Sequence, residues 1–210
     1  MKRSRILLAD DHALTTEGIR AVLAGNQEII GYVSDGRALV EAAVHLRPEL
    51  IVLDITMPLL NGVDAARQIK KSLPGVKLLF VTMHVNPAYV EAALTAGATG
   101  YVLKSAAREE LLAAVETVMK GQLYITPSLS IGDLDNFQNP AKAAAALRLS
   151  SREGETLQLV AEGKAAKEIA FILNISIKTV HFHRENIKRK LGVRTVAEMT
   201  KHAIEQGLIH

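Results

Sequence analysis

The first 120 residues alternate between short apolar runs and longer stretches in which apolar residues recur every three or four positions. Five runs rich in Ile, Leu and Val occupy residues 6–9, 29–33, 50–53, 78–81 and 100–103. In the stretches between these runs, the spacing of the apolar residues is typical of amphipathic helices, and a last stretch with this spacing covers residues 109–120. Strands joined by helix-length connections lie parallel in one sheet with helices on both faces. The pattern therefore predicts a (βα)5 domain with a five-stranded parallel sheet.

The remainder of the chain divides into two parts. Residues 122–147 lack periodicity and carry Pro and Gly residues typical of turns, directly after a suitable helix stop at Gly121. From Leu149 onwards the helical spacing returns, and the pattern predicts no further strand. We therefore predict an α/β domain over residues 1–121, a linker over residues 122–147 and an all-α domain over residues 148–210.

The composition excludes several classes of protein. Hydrophobic residues make up 49% and charged residues 22%, which is close to the average for soluble globular proteins. The absence of cysteine excludes disulfides, thiolate zinc sites, iron–sulfur clusters and cysteine nucleophiles. No apolar run approaches the roughly 20 residues of a membrane span, and the one after the basic start is too short for a signal peptide. We therefore expect a soluble, cytoplasmic protein without membrane contacts.

Positive charge is concentrated in the last third of the chain. Residues 1–147 contain 14 basic and 15 acidic side chains, whereas residues 148–210 contain 11 basic and 7 acidic ones. Such asymmetry favours a module that binds a polyanion in the C-terminal segment. On charge alone, a solvated basic face explains the excess equally well.

Polar side chains follow four of the predicted strands. Asp10 and Asp11 follow the first strand, Asp54 the third, Thr82 the fourth and Lys104 the fifth. Because the carboxyl ends of parallel strands meet at one edge of the sheet, these side chains converge there. Crowded carboxylates repel one another unless a cation joins them, and oxygen ligands favour Mg²⁺ or Mn²⁺. With an ammonium and a hydroxyl beside the metal, the set has the parts for phosphoryl transfer to an aspartate.

Each of these residues also has a simpler interpretation. Asp10 and Asp11 are suitable caps for the helix that begins near Leu14. Thr82 alone is compatible with a turn, and Lys104 alone with a surface charge. The coincidence of all of them at one sheet edge favours a common site.

The motifs at this edge resemble those of bacterial response-regulator receiver domains. The resemblance covers residues 5–120 and rests on five motifs: Ala9–His12, Leu53–Pro58, Asn61–Gly62, Val81–His84 and Gly100–Lys104. It implies a flavodoxin-like fold and implies that Asp54 accepts a phosphoryl group from a sensor histidine kinase.

The resemblance also implies roles for the neighbouring residues. Asp11, Asp54 and the backbone carbonyl of Thr56 would bind Mg²⁺ directly, with Asp10 acting through water. The side chains of Thr82 and Lys104 would contact the phosphoryl oxygens. Tyr101 would be the aromatic residue whose rotamer follows the position of Thr82.

Phosphatases of the haloacid-dehalogenase type are the alternative for this domain. They resemble receivers in using an Asp nucleophile, a Ser or Thr, a Lys and Mg²⁺. Their pattern places a second Asp two residues after the nucleophile as general acid, and here that position holds Thr56, which cannot serve. No insertion in the sequence encloses a substrate either. The residues favour a phospho-acceptor over an enzyme.

The basic third contains two amphipathic stretches with a short turn between them. Residues 164–173 place Ile169 and Leu173 on one face, and residues 177–191 place Val180 and Ile187 on one stripe, with polar and charged residues opposite. Ser176, in the turn, is a suitable N-cap for the second helix. A helix, a short turn and a basic second helix form a helix-turn-helix, whose second helix enters the major groove of DNA.

Six motifs resemble those of LuxR-type helix-turn-helix domains over residues 148–209. They are Leu149–Glu153, Glu162–Lys164, Lys167–Ala170, Lys178–Val180, His183–Arg184 and Lys190–Val193. Together with the receiver motifs, they identify the chain as a member of the NarL/FixJ-type response regulators, transcription factors controlled by phosphorylation. The family implies a four-helix domain whose last helix, at residues 195–206, supports a homodimer on double-stranded operator DNA with inverted half-sites.

The predicted DNA contacts fall into two groups. Phosphate contacts fix the position on DNA, and we assign them to five residues: Lys167, Lys178, Thr179, Lys188 and Lys190. Base contacts carry sequence preference, and we assign them to the centre of the exposed stripe: His181, Phe182 and Glu185. A carboxylate there can accept a bond from a cytosine amino group, and Phe182 either touches a thymine methyl or packs against a neighbouring element.

These assignments predict how phosphorylation acts. A phosphoryl group adds about −1.5 to −2 charge units, which Mg²⁺ and Lys104 would bind. The pull on Thr82 and Tyr101 would then change the face formed by residues 87–96, the fifth strand and the last receiver helix, alter the dimer contacts and free the basic domain for DNA. A regulator that works without phosphate, with the first domain only as an interaction module, is the alternative, and the intact acidic cluster argues against it.

Overall fold

The computed structural model describes residues 3–25, 27–106, 108–129 and 149–209. Its sheet contains the five predicted strands, all parallel: β1 (Arg5–Ala9), β2 (Glu28–Val33), β3 (Leu50–Leu53), β4 (Lys77–Thr82) and β5 (Gly100–Leu103). The strand order is β2-β1-β3-β4-β5, followed by one further strand at the edge. The sheet thus places the carboxyl ends of β1, β3, β4 and β5 side by side.

The further strand corrects the predicted strand count from five to six. It is β6 (Tyr124–Ile125), which pairs with Gly100 and Tyr101 of β5 inside the segment predicted as a linker. Two residues are too few to produce a recognisable apolar run, and Pro127 follows closely, so local pattern gave no signal. Residues 130–147 of the predicted linker lie outside the described residues.

Five helices cover the two faces of the sheet: α1 (Ala13–Leu23), α2 (Gly36–Leu46), α3 (Gly62–Ser72), α4 (Pro87–Thr95) and α5 (Arg108–Met119). Helices α2, α3 and α4 contribute to one buried apolar cluster, and α1 and α5 contribute to the other. Along β1, Leu7 belongs to the first cluster and Leu8 to the second, because successive strand residues point to opposite faces. The predicted parallel sheet with helices on both faces is confirmed.

The C-terminal domain is built from four helices: α6 (Ser151–Ala161), α7 (Ala166–Leu173), α8 (Ile177–Leu191) and α9 (Val196–Glu205). Ser176 accepts a hydrogen bond from the Thr179 backbone N–H and caps α8, as predicted. The helices surround an apolar core whose members include Leu157, Ile169 and Val180. Among the described residues, no helix has both the length and the apolar character needed to cross a membrane.

The two domains contact each other through a small number of elements. Helix α6 and the turn after α9 lie against the loop that leaves the carboxyl end of β3. A buried carboxylate of α6, Glu155, forms an ion pair of 2.8 Å with Arg37 of α2. The C-terminal domain therefore rests beside the sheet edge on which the polar residues converge.

Candidate functional site

Three carboxylates meet at the carboxyl ends of β1 and β3. Asp10, Asp11, Asp54 and the ring of His12 each offer a possible ligand atom, and these atoms all lie within 4.8 Å of one another. Asp10 and Asp54 are buried, whereas Asp11 is half-buried. The sequence predicted that the three carboxylates lie together because the carboxyl ends of parallel strands meet at one edge of the sheet. It assigned no role to His12, although the position of this residue directly after Asp11 was the available signal.

Lys104 supplies the positive charge of the cluster. Its Nζ lies 2.7 Å from Asp54 Oδ2 and 2.8 Å from Asp10 Oδ2, and the side chain is 8% exposed. Burial alone would lower the pKa of Lys104, but the hydrogen bonds to Asp10 and Asp54 outweigh it and raise the pKa above its usual value. Lys104 therefore stays protonated and is positioned to contact an anionic group attached to Asp54.

The helix-cap interpretation of Asp10 and Asp11 is wrong. The N-cap of α1 is His12, whose backbone N–H donates to Asp10 Oδ1 at 2.8 Å. Both aspartates thus precede the helix and belong to the loop at the sheet edge.

The donor set fits a hard divalent cation. Asp11 Oδ1 is buried, and His12 Nδ1 lies 2.7 Å from it as an ion-pair contact. Asp54 Oδ1 accepts a bond from the Ile55 backbone N–H at 2.6 Å, so one Asp54 oxygen is held by backbone and the other by Lys104. Carboxylate oxygens of this kind are the ligands Mg²⁺ prefers. The acidic pocket can therefore bind a metal ion.

Thr82 and Tyr101 meet at the loop after β4. Thr82 is fully buried, and its Oγ1 accepts a long hydrogen bond of 3.4 Å from the His84 backbone N–H. The buried Tyr101 hydroxyl donates to the His84 carbonyl oxygen at 2.8 Å. Burial raises the pKa of Tyr101, and the charges of Asp54 and Tyr89 add to the effect, so the phenol remains a donor. The side chains of both predicted switch residues, Thr82 and Tyr101, are thus hydrogen-bonded to the backbone of His84.

The side chain of Thr56 makes contacts that the sequence did not predict. Its Oγ1 donates to the Gly207 carbonyl oxygen at 3.1 Å and lies 2.8 Å from His84 Nε2. Only its backbone carbonyl had been assigned a role. The hydroxyl connects the loop after Asp54 with the turn after α9, 151 residues further along the chain.

The predicted base-reading residues lie on the open side of α8. His181, Phe182 and Glu185 are all exposed, and Phe182 retains 63% exposure. An exposure of this size disfavours the alternative in which Phe182 packs against a neighbouring element. The glutamate is not isolated, since Glu185 Oε1 accepts a bond of 2.8 Å from Lys188 Nζ.

The predicted phosphate-contacting residues differ in their surroundings. Lys167 and Lys178 are exposed, and the Thr179 hydroxyl lies 2.8 Å from the hydroxyl of Ser176. Lys190 Nζ lies 2.6 Å from Glu153 Oε2, a buried carboxylate of α6. Burial would raise the pKa of Glu153, but the bonds from Lys190 and Ser150 lower it overall. Lys190 therefore has a partner within its own domain as well as its predicted place on DNA.

Two family profiles match the chain. That of the response regulator receiver domain matches residues 6–116, and that of the luxR family of bacterial regulatory proteins matches residues 147–203. Transcriptional regulatory protein MctR of Rhizobium johnstonii is 32% identical over 207 residues, which cover 98% of this chain and 95% of MctR. Oxygen regulatory protein NreC of Staphylococcus carnosus is 33% identical over 214 residues, which cover 98% of this chain and 99% of NreC.

Solved structures of RcsB from Salmonella enterica serovar Typhimurium are similar over nearly the whole chain. One, bound to a promoter in the presence of the phosphomimetic BeF3⁻, is 30% identical, covers 96% of this chain and 98% of RcsB, and has a TM-score of 0.65. Another covers 100% of both chains at 30% identity with a TM-score of 0.67. The present chain therefore belongs to the response regulators that join a receiver domain to a LuxR-type helix-turn-helix domain, and it is a DNA-binding transcriptional regulator rather than an enzyme.

Proposed function

We propose that a sensor histidine kinase phosphorylates Asp54 and that this phosphorylation controls dimerisation and sequence-specific operator binding. The observation that carries the proposal is the placement of Asp54, whose two oxygens are 2.6 Å from the Ile55 N–H and 2.7 Å from Lys104 Nζ. In the transfer, a P–O bond to Asp54 forms as the P–N bond of a phosphohistidine breaks, and the imidazole leaves. The structure of RcsB bound to a promoter in the presence of a phosphomimetic supports the proposal that this chain, too, combines phosphorylation with DNA binding.

The proposed division of labour follows the proposed domain limits. Residues 1–121 act as the phospho-acceptor, residues 122–147 connect, and residues 148–210 bind DNA. Thr82 and Lys104 contact the phosphoryl oxygens in this proposal. Lys104 already forms an ion pair with Asp54, and Thr82 lies at the end of β4, next to β5. Movement of Thr82 passes to Tyr101 through the backbone of His84, to which both are bonded.

Mg²⁺ is the proposed cofactor, with Mn²⁺ as a substitute. Asp11, Asp54 and the Thr56 carbonyl would hold it, and Asp10 would act through water. The bound ion supplies charge neutralisation for the transferring phosphoryl group. Asp11 is the ligand best suited to a loss-of-metal variant, because Lys104 forms its ion pairs in the described part of the chain with Asp10 and Asp54 and not with Asp11.

Removal of the metal should stop phosphorylation without unfolding the protein. EDTA in excess, or the substitution Asp11→Ala, should abolish the mass increase that a small phosphodonor causes. Circular dichroism should remain unchanged, because the half-buried Asp11 belongs to neither apolar cluster of the receiver and both treatments leave the side chains of those clusters in place. Restoration by excess Mg²⁺ after EDTA is the control. Undiminished phosphorylation in chelator would remove the metal from the mechanism.

On DNA, the exposed side of α8 is proposed to enter the major groove. Lys167, Lys178, Thr179, Lys188 and Lys190 contact phosphates in this proposal, while His181, Phe182 and Glu185 contact base edges. The exposure of the three base-reading residues supports this arrangement. The contact between Glu185 and Lys188 offers another role for the glutamate, since it can position the lysine rather than read a base.

Substitutions of Glu185 and Lys188 should distinguish contacts to base edges from contacts to DNA phosphates. Lys188→Ala removes a phosphate contact, so it should weaken binding to all sequences and lower the salt slope by about one. Glu185→Ala should instead relax preference at one base position by roughly tenfold or more. Titration over a randomised half-site library at several salt concentrations measures both effects. If Glu185→Ala changes affinity for every sequence equally, the glutamate only positions Lys188 or carries a solvated charge.

A further inference from the structure

A crevice of about 620 Å³ lies between helix α3 of the receiver and the first turn of α6. Four basic residues from the two domains are among those that line it: Arg67, Lys70, Lys71 and Arg152. Its volume far exceeds the roughly 30 Å³ that one water molecule takes up, so the crevice can admit a group as large as a phosphate. None of the described residues that form the acidic pocket around Asp54 lines this crevice.

The carboxylates of the crevice are buried beneath its cations. The side chains of Asp64 and Glu155 are 10% and 3% exposed, whereas those of their partners Arg67 and Arg152 are 34% and 52% exposed. Arg67 Nη1 lies 2.7 Å from Asp64 Oδ1, and Arg152 Nη1 lies 3.0 Å from Glu155 Oε2. A guanidinium has five N–H donors, so a contact to one carboxylate oxygen leaves donors for an anion. The crevice therefore presents positive charge to the solvent.

The same arrangement continues from α6 onto α8. Glu153 of α6 is buried, and its Oε2 lies 2.6 Å from Lys190 Nζ, whose side chain is 36% exposed. Lys190 is one of the residues proposed to contact DNA phosphates. Arg152 precedes Glu153 in the chain and thus connects Lys190 with the crevice. A row of cations leads from the end of α8 across α6 to α3 of the receiver, and we call Lys190, Arg152 and Arg67 the cation row.

Double-stranded DNA is the partner that fits the cation row. The chain is a DNA-binding regulator, and the row is continuous with the proposed phosphate contacts of α8. A duplex carries one negative charge per about 1.7 Å of its axis, so DNA that extends past the end of α8 supplies further phosphates. The base-contacting residues His181, Phe182 and Glu185 are exposed while α6 lies against the receiver. DNA can therefore reach α8 without separation of the domains.

We propose that the receiver domain contributes to DNA binding, with Arg67 of α3 and Arg152 of α6 contacting the phosphate backbone beside the half-site that α8 reads. The inference rests on the proposed entry of α8 into the major groove. Phosphate contacts carry no direct sequence information, so these two raise affinity and its salt dependence without changing base preference. The ion pairs with Asp64 and Glu155 hold both guanidinium groups before DNA arrives, which reduces the side-chain freedom lost on binding.

The test uses the full chain without a phosphodonor and two duplexes that contain the same selected operator. One duplex ends at the half-sites, and the other extends beyond each of them by one helical turn, about ten base pairs. Arg67→Gln removes one positive charge from the receiver, while Asp64 keeps the 2.9 Å hydrogen bond from Asn61 Nδ2. Arg67→Lys retains the charge. Lys120→Gln is the matched control, because Lys120 is exposed and follows α5, which covers the other face of the sheet.

Affinities on both duplexes are measured at several salt concentrations. On the longer duplex, Arg67→Gln should lower the slope of log K against log salt by about one, whereas Arg67→Lys and Lys120→Gln should keep the wild-type slope. On the shorter duplex the four proteins should agree, and a half-site library should give all of them the same base preference. An unchanged slope for Arg67→Gln on the longer duplex, or an equal reduction on both duplexes, would overturn the inference.

A small anion is the competing occupant of the crevice, and inorganic tripolyphosphate serves as its probe. Calorimetric binding of tripolyphosphate that Arg67→Gln abolishes, together with unchanged slopes on the longer duplex, would assign the crevice to a free anion and refute the DNA contact. These results would leave the proposed role of α8 intact. A wild type without base preference on either duplex would instead refute the proposed entry of α8 into the major groove.

Discussion

Replacing Asp54 with Asn should abolish the phosphodonor-dependent mass increase of the chain. Asn carries no negative charge and its amide oxygen is a poor nucleophile, so no acyl phosphate forms. The fold should survive, because Asn has the shape of the buried Asp54 and its amide oxygen can still accept the hydrogen bond from Lys104 Nζ. Intact-protein mass spectrometry after incubation with acetyl phosphate and Mg²⁺ measures the loss, and circular dichroism checks the fold.

The neighbouring carboxylates provide the control for this substitution. Asp10 and Asp11 share the same pocket, so each is a competing acceptor by proximity alone. Lys104 pairs with both Asp10 and Asp54, so the ion pairs do not distinguish these two, and the phosphoryl group is assigned to Asp54 as the carboxylate that follows β3. Peptide mapping that finds phosphate on Asp10 or Asp11 in the Asp54→Asn variant would refute the assignment.

Loss of Lys104 should have the second-largest effect. Lys104→Ala removes the ammonium that lies 2.7 Å from Asp54 and 2.8 Å from Asp10, so the developing charge on a transferring phosphoryl group loses one prepositioned partner. Removal of one such electrostatic donor costs about 10²- to 10³-fold in rate. The initial rate of phosphorylation at saturating Mg²⁺ measures the effect.

An exposed lysine on the same domain separates this effect from a general loss of charge. Lys71, at the end of α3, is exposed and lies outside the acidic pocket, so the Lys71→Ala variant should be phosphorylated at the wild-type rate. A Lys104→Ala variant that is as fast as Lys71→Ala would exclude the ammonium from the transfer step.

The elements that the sequence predicted well are those whose signal is local. The apolar runs and the helical spacing identified five of the six strands found in the described residues, and α8 begins and ends where its stripe predicted. The acidic site followed as well, because parallel strands place their carboxyl ends at one edge and thereby bring Asp10, Asp54 and Lys104 together.

What the sequence did not predict depends on contacts between distant parts of the chain. Gln158 looks like an ordinary polar position of a helix, yet it is buried against a loop about one hundred residues earlier. Gly207 reads as a helix stop, and nothing near it in sequence indicates Thr56 as a partner. The position of Lys190 beside the exposed stripe of α8 predicts a DNA contact, whereas its pairing with Glu153 depends on how α6 and α8 pack. Periodicity carries no information of this kind.

The central claim is tested most directly by the affinity of the full chain for its operator with and without acetyl phosphate and Mg²⁺. The operator sequence is first selected from a randomised half-site library, and the titration is performed for the wild type and for Asp54→Asn. We expect the phosphodonor to tighten wild-type binding by about tenfold or more and to leave Asp54→Asn unchanged. Equal affinities in all four titrations, or the same tightening in both proteins, would contradict control through Asp54.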